Sequence, residues 1–322
     1  MIEAHNLTKR YGHVTAVDDL SFSVRPGVVT GFLGPNGAGK STTMRMILGL
    51  DRPSRGRVTV AGKDYAHLAA PLHEVGALLD AKAVHQGRSA HSHLRALAES
   101  NGIPRSRVTE VLRLVGLEAV ARRRAGGFSL GMGQRLGIAG ALLGDPAVLM
   151  FDEPVNGLDP EGILWVRNLM RGLAAEGRTV LVSSHLMSEM ALTAQHLIVI
   201  GRGRMIANMS VDDFIRSSAQ QSVLVRSPHS EALAAALRVA GAQVSAQADG
   251  ALVVTGMEAS AVGEAAAATG AVLHELSPQR ASLEEAFMEL TRDSVDFHAG
   301  ALSGAGTTTA AEERPLAQRG VA

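Results

Sequence analysis

Residues 34–42 combine residue types that could hold a chain of phosphates. They read GPNGAGKST, and residues 34–41 fit the spacing G-x-x-x-x-G-K-[ST]. Glycines let the backbone approach a phosphate closely, and consecutive N–H groups in such a loop form a nest for an anion. A helix after the loop directs the positive end of its dipole to the same place. The motif predicts nucleotide binding, with Lys40 on the β- and γ-phosphates and the Ser41 hydroxyl on Mg²⁺. The residues predicted to contact the nucleotide here are Gly34, Pro35, Asn36, Gly37, Ala38, Gly39, Lys40, Ser41 and Thr42.

A second stretch, AVLMFDEP, places two carboxylates where a buried strand is predicted to end. Asp152 suits the coordination shell of Mg²⁺, as in nucleotidases with a similar phosphate loop. Glu153 follows directly and could orient and polarise an attacking water. A pair of acids after an apolar run means little alone, but this pair lies about 110 residues after a phosphate loop. Together the two stretches predict hydrolysis of a nucleoside triphosphate.

The surrounding pattern predicts an α/β fold over residues 1–220. Nearly continuous apolar runs are typical of buried parallel strands, and predicted helices separate them. One helix is predicted to begin after Asp159 as N-cap, with Pro160 in its first turn. Another places Val108, Val111, Leu112 and Val115 on one face. The runs predicted as strands occupy residues 28–34, 147–153, 179–185 and 196–204.

The pattern changes after residue 220. Strand and helix signals alternate in the order βαββαβ, with the fourth strand predicted over residues 271–276. This order suits a small α+β domain of the ferredoxin-like type, predicted to span residues 221–297 together with a final helix.

The final helix has its own N-terminal signal. Ser282 and Glu285 are spaced as a capping box, and Leu283, Phe287 and Leu290 share one face. Residues 298–322 lack periodicity and are rich in small side chains, so a disordered tail is predicted there.

Composition excludes several classes of function. The 322 residues include no cysteine, which rules out disulfides, thiolate zinc sites and thiol catalysis. Lys+Arg and Asp+Glu are equal at 31 each, so net charge gives no case for nucleic acid as a partner. No apolar run approaches the roughly 20 residues that span a bilayer, and the N-terminus lacks the apolar core of a secretion signal. The sequence therefore predicts a protein soluble by itself.

A third motif gives the set its family resemblance. FSLGMGQR at residues 128–135 precedes the two carboxylates, and with the motifs in this order the chain resembles an ATP-binding cassette (ABC) ATPase over residues 1–220. The resemblance implies a P-loop NTPase fold with a helical subdomain at about residues 82–145. It also implies ATP and Mg²⁺ as ligands.

The same resemblance assigns roles to individual residues. Tyr11 matches the position that stacks on adenine, and Asp159 lies in the loop NGLD after the second carboxylate. Catalysis is implied for Glu153 as general base, for His185 as the switch histidine that senses the γ-phosphate, and for Lys40. Ser129 and Gly131 match two positions of the signature loop.

The family mechanism uses two copies. They meet head to tail with two ATP molecules between them, and the signature loop of one copy covers the phosphate loop of the other. Because this chain has one phosphate loop and one signature, it is expected to need a second copy of itself. Closure on ATP and opening after hydrolysis would then drive transport.

Two departures from the family pattern favour one branch. The signature reads Phe128-Ser129-Leu130-Gly131-Met132 where Leu-Ser-Gly-Gly-Gln is usual, and Asp80 stands where a glutamine usually senses the metal. Asp80 keeps an oxygen for Mg²⁺ but adds a charge. With the extra C-terminal domain, these features resemble the daunorubicin- and bacitracin-type drug exporter ATPases. The implied partner is a separate membrane-spanning permease, and the implied location is the cytoplasmic face of the cell membrane.

Two alternatives stay open at this point. The first is a soluble ABC ATPase that acts on ribosomes or nucleic acid, although the chain has neither a second cassette nor a basic stripe. The second is a regulatory nucleotide-binding module without turnover, which Glu153 and His185 argue against.

Overall fold

The computed structural model describes residues 1–80, 83–218, 222–279 and 282–291. The predicted disordered tail, residues 298–322, lies outside the described residues. Within them, no helix is both long enough and apolar enough to cross a membrane.

The first 218 residues form an α/β unit, as predicted. Its first elements are β1 (Ile2–Tyr11), β2 (Val14–Val24), β3 (Val29–Leu33), α1 (Lys40–Ile47), β4 (Arg55–Val60), α2 (Pro71–Glu74) and β5 (Val75–Leu78). Three helices come next, namely α3 (Ala90–Ser100), α4 (Arg105–Leu114) and α5 (Leu130–Leu142). The unit closes with β6 (Val148–Asp152), α6 (Pro160–Ala175), β7 (Thr179–Ser183), α7 (Met187–Thr193), β8 (His196–Gly201), β9 (Arg204–Ser210) and α8 (Val211–Ser218).

A six-stranded sheet organises this unit, in the order β5-β6-β7-β3-β8-β9. The strands run parallel except β9, which pairs with β8 in an antiparallel hairpin. Every residue of β3 and β7 is buried, because both faces of the sheet are covered. The carboxyl ends of β6, β7 and β3 lie side by side. The residues that follow these three strands therefore meet at one edge of the sheet.

The two faces of the sheet carry different layers. Side chains alternate between faces, so Phe32 joins one core cluster and its neighbour Leu33 joins the other. The first face packs against α1 and a three-stranded antiparallel sheet of order β2-β1-β4. The second face packs against the helices, including α4, whose predicted apolar side is buried and confirmed.

The C-terminal unit has a sheet and a core of its own. Its elements are β10 (Ser222–Arg226), α9 (Ser230–Val239), β11 (Gln243–Ala246), β12 (Leu252–Thr255), α10 (Ala259–Thr269) and β13 (Glu275–Gln279). The sheet is antiparallel in the order β11-β12-β10-β13. A separate apolar cluster, which includes Leu233, Val254 and Val262, packs beneath it.

The predicted position of the fourth strand was wrong. Strand β13 covers Glu275–Gln279 rather than residues 271–276, because the exit from α10 uses the first of those residues. Gly270 adopts the left-handed conformation (φ +66°), and the Ala271 N–H donates to the Ala266 carbonyl at 2.9 Å. Pairing with β10 begins at His274, whose N–H donates to the Arg226 carbonyl.

The last helix, α11 (Leu283–Thr291), packs against α7 and α8 of the first unit. Its capping box is confirmed, since the Ser282 N–H donates to Glu285 Oε2 at 2.8 Å and the Glu285 N–H donates to Ser282 Oγ at 3.1 Å. Leu283 and Phe287 join the core cluster of the first unit. Leu290, the third residue of the predicted face, is covered less well than the other two. It is 39% exposed, because the neighbouring elements cover the side of the last turn that carries Thr291.

Candidate functional site

The loop between β3 and α1 has a backbone that only glycine tolerates at two positions. Gly39, just before α1, has φ +102°, and a Cβ there would lie 2.5 Å from the Ala16 carbonyl oxygen. A Cβ on Gly34 would lie 2.5 Å from the Ile200 carbonyl oxygen. The loop therefore packs closely against β2 and β8 at these two positions.

Lys40 folds back over this loop. Its ammonium donates to the Gly34 carbonyl at 2.6 Å and to the Pro35 carbonyl at 3.2 Å. Burial lowers the pKa of Lys40, and the nearby carboxylates of Glu153 and Asp152 oppose that shift. A cation held at the mouth of a glycine loop is suited to phosphate oxygens.

Ser41 and Asp152 meet although 111 residues separate them in the chain. The Ser41 hydroxyl donates to Asp152 Oδ2 at 3.0 Å, and the Ser183 hydroxyl donates to Asp152 Oδ1. A hydroxyl beside a carboxylate fits Mg²⁺, which binds through one or two carboxylates, waters and substrate phosphates. Within the described ranges, no group of three or more His, Cys, Asp or Glu side chains is arranged to hold a metal ion.

Glu153 and His185 also come together. Glu153 Oε2 lies 2.8 Å from His185 Nδ1 and 3.3 Å from the His185 backbone nitrogen. A carboxylate oxygen accepts hydrogen bonds, so the tautomer of His185 assigned from this contact carries its proton on Nδ1. Glu153 has φ +51°, a conformation uncommon for residues other than glycine. Backbone strain of this kind is frequent at functional sites.

The signature loop lies at the start of α5. Ser129 caps the helix by accepting a hydrogen bond from the Met132 N–H at 3.2 Å. Gly131 packs against the loop that follows Glu153. A Cβ added to Gly131 would lie 3.3 Å from the Gly157 carbonyl oxygen and 3.2 Å from the Leu158 side chain. Leu130, one of the departures from the family pattern, is exposed and its side chain lies over Gly157.

Tyr11 ends β1 and is 47% exposed. Its hydroxyl donates to Asp51 Oδ2 at 3.1 Å, and the Lys9 ammonium lies 4.9 Å from the ring centroid. Desolvation is the main cause that raises the pKa of the Tyr11 phenol, and the hydrogen bond to Asp51 raises it further. A hydrogen bond with Thr42 lowers it. Tyr11 therefore lies beside the start of α1.

The two remaining predicted residues, Asp159 and Asp80, each accept a hydrogen bond from a backbone N–H. The Asp159 carboxylate accepts from the Gly162 N–H at 2.9 Å, which confirms it as the N-cap of α6. The Asp80 carbonyl accepts a hydrogen bond from the Ala83 N–H at 3.1 Å. Residues 81 and 82, which follow Asp80, lie outside the described residues.

Sequence reasoning missed two residues at this site. Ser183 ends β7, donates to Asp152, and accepts from the Glu153 N–H at 3.2 Å. Gln134 lies on α5, and its side-chain amide donates to the Glu153 carbonyl at 2.8 Å. Both lie within stretches that the sequence analysis used, Ser183 in the predicted strand run 179–185 and Gln134 in the segment at residues 128–135. Their polar side chains in buried positions were the available signal.

The site has the parts of a P-loop nucleotidase. They are a glycine loop, a lysine, a hydroxyl and a carboxylate that suit a metal ion, and a second carboxylate beside a histidine. A family model described as ABC transporter matches residues 17–156, and a domain of unknown function matches residues 221–284. The chain is 41% identical to the ABC transporter ATP-binding protein YhcH of Bacillus subtilis, covering 66% of this chain and 71% of that protein. It belongs to the ATP-binding proteins of ABC transporters, which are ATPases.

Other relatives carry more specific names. The bacitracin transport ATP-binding protein BcrA of Bacillus licheniformis is 40% identical over 66% of this chain and 70% of its own length. The lantibiotic transport ATP-binding protein SrtF of Streptococcus pyogenes is 34% identical over 66% of this chain and 92% of its own length. A solved ATP-binding subunit of an ABC transporter has a TM-score of 0.60 and 28% identity, covering 67% of this chain and 92% of that one.

Proposed function

We propose that the chain hydrolyses ATP to drive a separate membrane permease, and that the system exports a drug or antibiotic. The observation that carries this proposal is the contact of Glu153 with His185, 2.8 Å apart, beside Asp152 hydrogen-bonded to Ser41. A binding module without turnover has no need for a strained carboxylate held against a histidine. The bacitracin and lantibiotic transport proteins among its relatives support the class of cargo.

Each predicted site residue has a proposed role in that reaction. Lys40 and the N–H groups of the loop bind the phosphates, and Tyr11 stacks on adenine. Ser41, Asp152 and Asp80 would hold Mg²⁺, which neutralises phosphate charge when bound. Glu153 accepts a proton from the attacking water. His185 holds the Glu153 carboxylate in place and senses the γ-phosphate. Catalysis then rests on positioning and charge stabilisation.

The proposed working unit contains two copies of the chain. Ser129, Gly131 and Asp159 would complete the nucleotide site of the second copy. Support comes from the exposed position of Ser129 at the first turn of α5, where a hydroxyl and helix N–H groups can face a phosphate from outside.

We propose the domain boundaries predicted from the sequence, with one addition. Residues 1–220 form the ATP-binding domain, with a helical subdomain at about 82–145, and residues 221–297 form the accessory domain. The order βαββαβ and the strand order β11-β12-β10-β13 support a ferredoxin-like class for the second domain. The addition is that α11 docks back on the first domain through Leu283 and Phe287.

The permease would hold the chain at the cytoplasmic face of the membrane, and co-purification tests this directly. The tagged chain is expressed in its native cell, membranes are solubilised gently, and captured proteins are identified by mass spectrometry, with the untagged strain as control. We expect a multi-span membrane protein in stoichiometric amount. Ribosomal proteins or DNA-associated factors, with nothing from the membrane, would overturn the transport proposal and support the soluble alternative.

A further inference from the structure

The Gln134 side chain is hydrogen-bonded to the backbone of Glu153, the proposed catalytic base. Gln134 is 4% exposed, and its Nε2 donates to the Glu153 carbonyl oxygen at 2.8 Å. A carbonyl oxygen only accepts hydrogen bonds, so the NH₂ group of the amide must face it. The chemistry therefore fixes the orientation of the Gln134 side chain.

The Glu153 backbone needs support from its neighbours because its φ of +51° is unfavourable for a side chain with a Cβ. Ser183 supports the amide side, where its carbonyl and its hydroxyl each accept the Glu153 N–H at 3.2 Å. Gln134 supports the carbonyl side. The two peptide planes that flank the Glu153 Cα are thus held by different elements, β7 and α5.

The other end of the Gln134 amide shows that packing alone does not explain this residue. Oε1 is buried and has no hydrogen-bond partner among the described residues. A buried acceptor without a partner destabilises the folded state, and an apolar side chain of similar size would avoid that cost. Position 134 therefore carries the Nε2 donor although Oε1 is left unpaired. This is expected if the hydrogen bond from Nε2 to the Glu153 carbonyl is needed at the site.

We infer that Gln134 is a positioning residue for Glu153, which rests on the proposed role of Glu153 as general base. Its hydrogen bond holds the peptide plane after Glu153 and so aims the carboxylate. Gln134 lies on α5 five residues after Ser129, the cap of that helix. The helix that presents the signature loop to a second copy therefore also holds this copy's own base.

The test replaces Gln134 by Leu and, as a second variant, by Met, both close in size and without a donor. Steady-state ATP hydrolysis and the thermal unfolding midpoint are measured on the purified full-length chain. We expect kcat to fall about 10- to 100-fold, the order expected for a misplaced catalytic group. The KM for ATP should stay unchanged. The unfolding midpoint should change little, because relief of the unpaired Oε1 offsets the donor lost from the Glu153 carbonyl.

Asn101→Leu is the matched control, because the Asn101 amide donates to the Leu97 carbonyl at 2.9 Å away from the site. It should leave kcat at the wild-type value. An unchanged kcat in both Gln134 variants would overturn the proposal, and so would a rise in KM without a change in kcat.

A double-mutant cycle separates this proposal from the proposed function. If Gln134 acts through Glu153, then Gln134→Leu causes no further loss of residual single-turnover rate when Glu153 is already Gln. Additive losses would overturn the positioning role while the role of Glu153 stands. A wild-type rate for Glu153→Gln alone would overturn the base assignment itself, and the positioning role with it.

Discussion

Docking of α11 on the ATP-binding domain can be tested with two substitutions on the same helix. Phe287 is 7% exposed and packs in the core cluster that includes Phe214 of α8, whereas Leu290 is 39% exposed. Both residues are replaced by Ala. Because Ala is the better helix former than either, intrinsic propensity cannot account for a loss in one variant alone.

The expected magnitudes follow from burial. Removing a buried Phe side chain costs about 3–5 kcal/mol, while a substitution at an exposed position changes stability by about 0.5 kcal/mol. Since about 1.4 kcal/mol is a factor of ten, Phe287→Ala should raise the opening equilibrium of α11 by roughly two to nearly four orders of magnitude. Leu290→Ala should raise it by only about two- to threefold.

Hydrogen exchange followed by mass spectrometry measures that equilibrium for peptides that cover α11. The amides of this helix should exchange much faster in Phe287→Ala, and peptides from β10 and β12 of the C-terminal sheet serve as internal references. Equal exchange in the two variants would show that the packed face is assigned incorrectly. Slow exchange in Phe287→Ala would show that α11 is held by something other than this contact.

Three further predictions concern the nucleotide site. Glu153→Gln should lower kcat about 10²- to 10⁴-fold without weakening ATP binding, because the amide keeps an acceptor for His185 but takes no proton; a wild-type rate would refute the base assignment. Lys40→Ala should abolish measurable ATP binding by calorimetry, since it removes the cation at the loop, and unchanged affinity would refute its phosphate role. Gly39→Ala should cost more than about 2 kcal/mol in urea unfolding, because φ is +102° and a Cβ would meet backbone. Gly12→Ala is its control, with φ +57° and no atom within 4 Å of a Cβ, and an equal cost would exclude the clash as the cause.

The sequence predicted the parts of the site that are adjacent in the chain or follow buried strands. The motifs and the family resemblance placed Ser41, Asp152 and His185 in one site, and the structure supplies the reason, because the parallel strands β3, β6 and β7 end side by side. Ser183 and Gln134 could not be assigned in the same way. Their roles depend on which neighbour each polar group faces, and the identity of a hydrogen-bond partner across 19 or 30 residues has no periodic signal.

The C-terminal helix shows a second limit of pattern reading. Its capping box is local and was predicted correctly, whereas its apolar stripe indicates only that some surface must cover it. The covering surface proves to be α7 and α8, and it leaves Leu290 39% exposed. Likewise the shift of β13 follows from how Gly270 and Ala271 end α10, which the apolar run at 271–276 does not reveal.

The contacts around Glu153 indicate that a movement of α5 would affect the proposed base. Three contacts join α5 to the segments around Glu153. Gln134 donates to the Glu153 carbonyl, and the guanidinium of the next residue, Arg135, lies 4.8 Å from the ring centroid of Trp165 on α6. Gly131 packs on the connecting loop at Gly157. A shift of α5 on engagement with a second copy must therefore break these contacts or carry the Glu153 backbone with it. Because packed contacts tend to switch between discrete arrangements rather than deform continuously, the same helix can link closure of the proposed dimer to alignment of the proposed base.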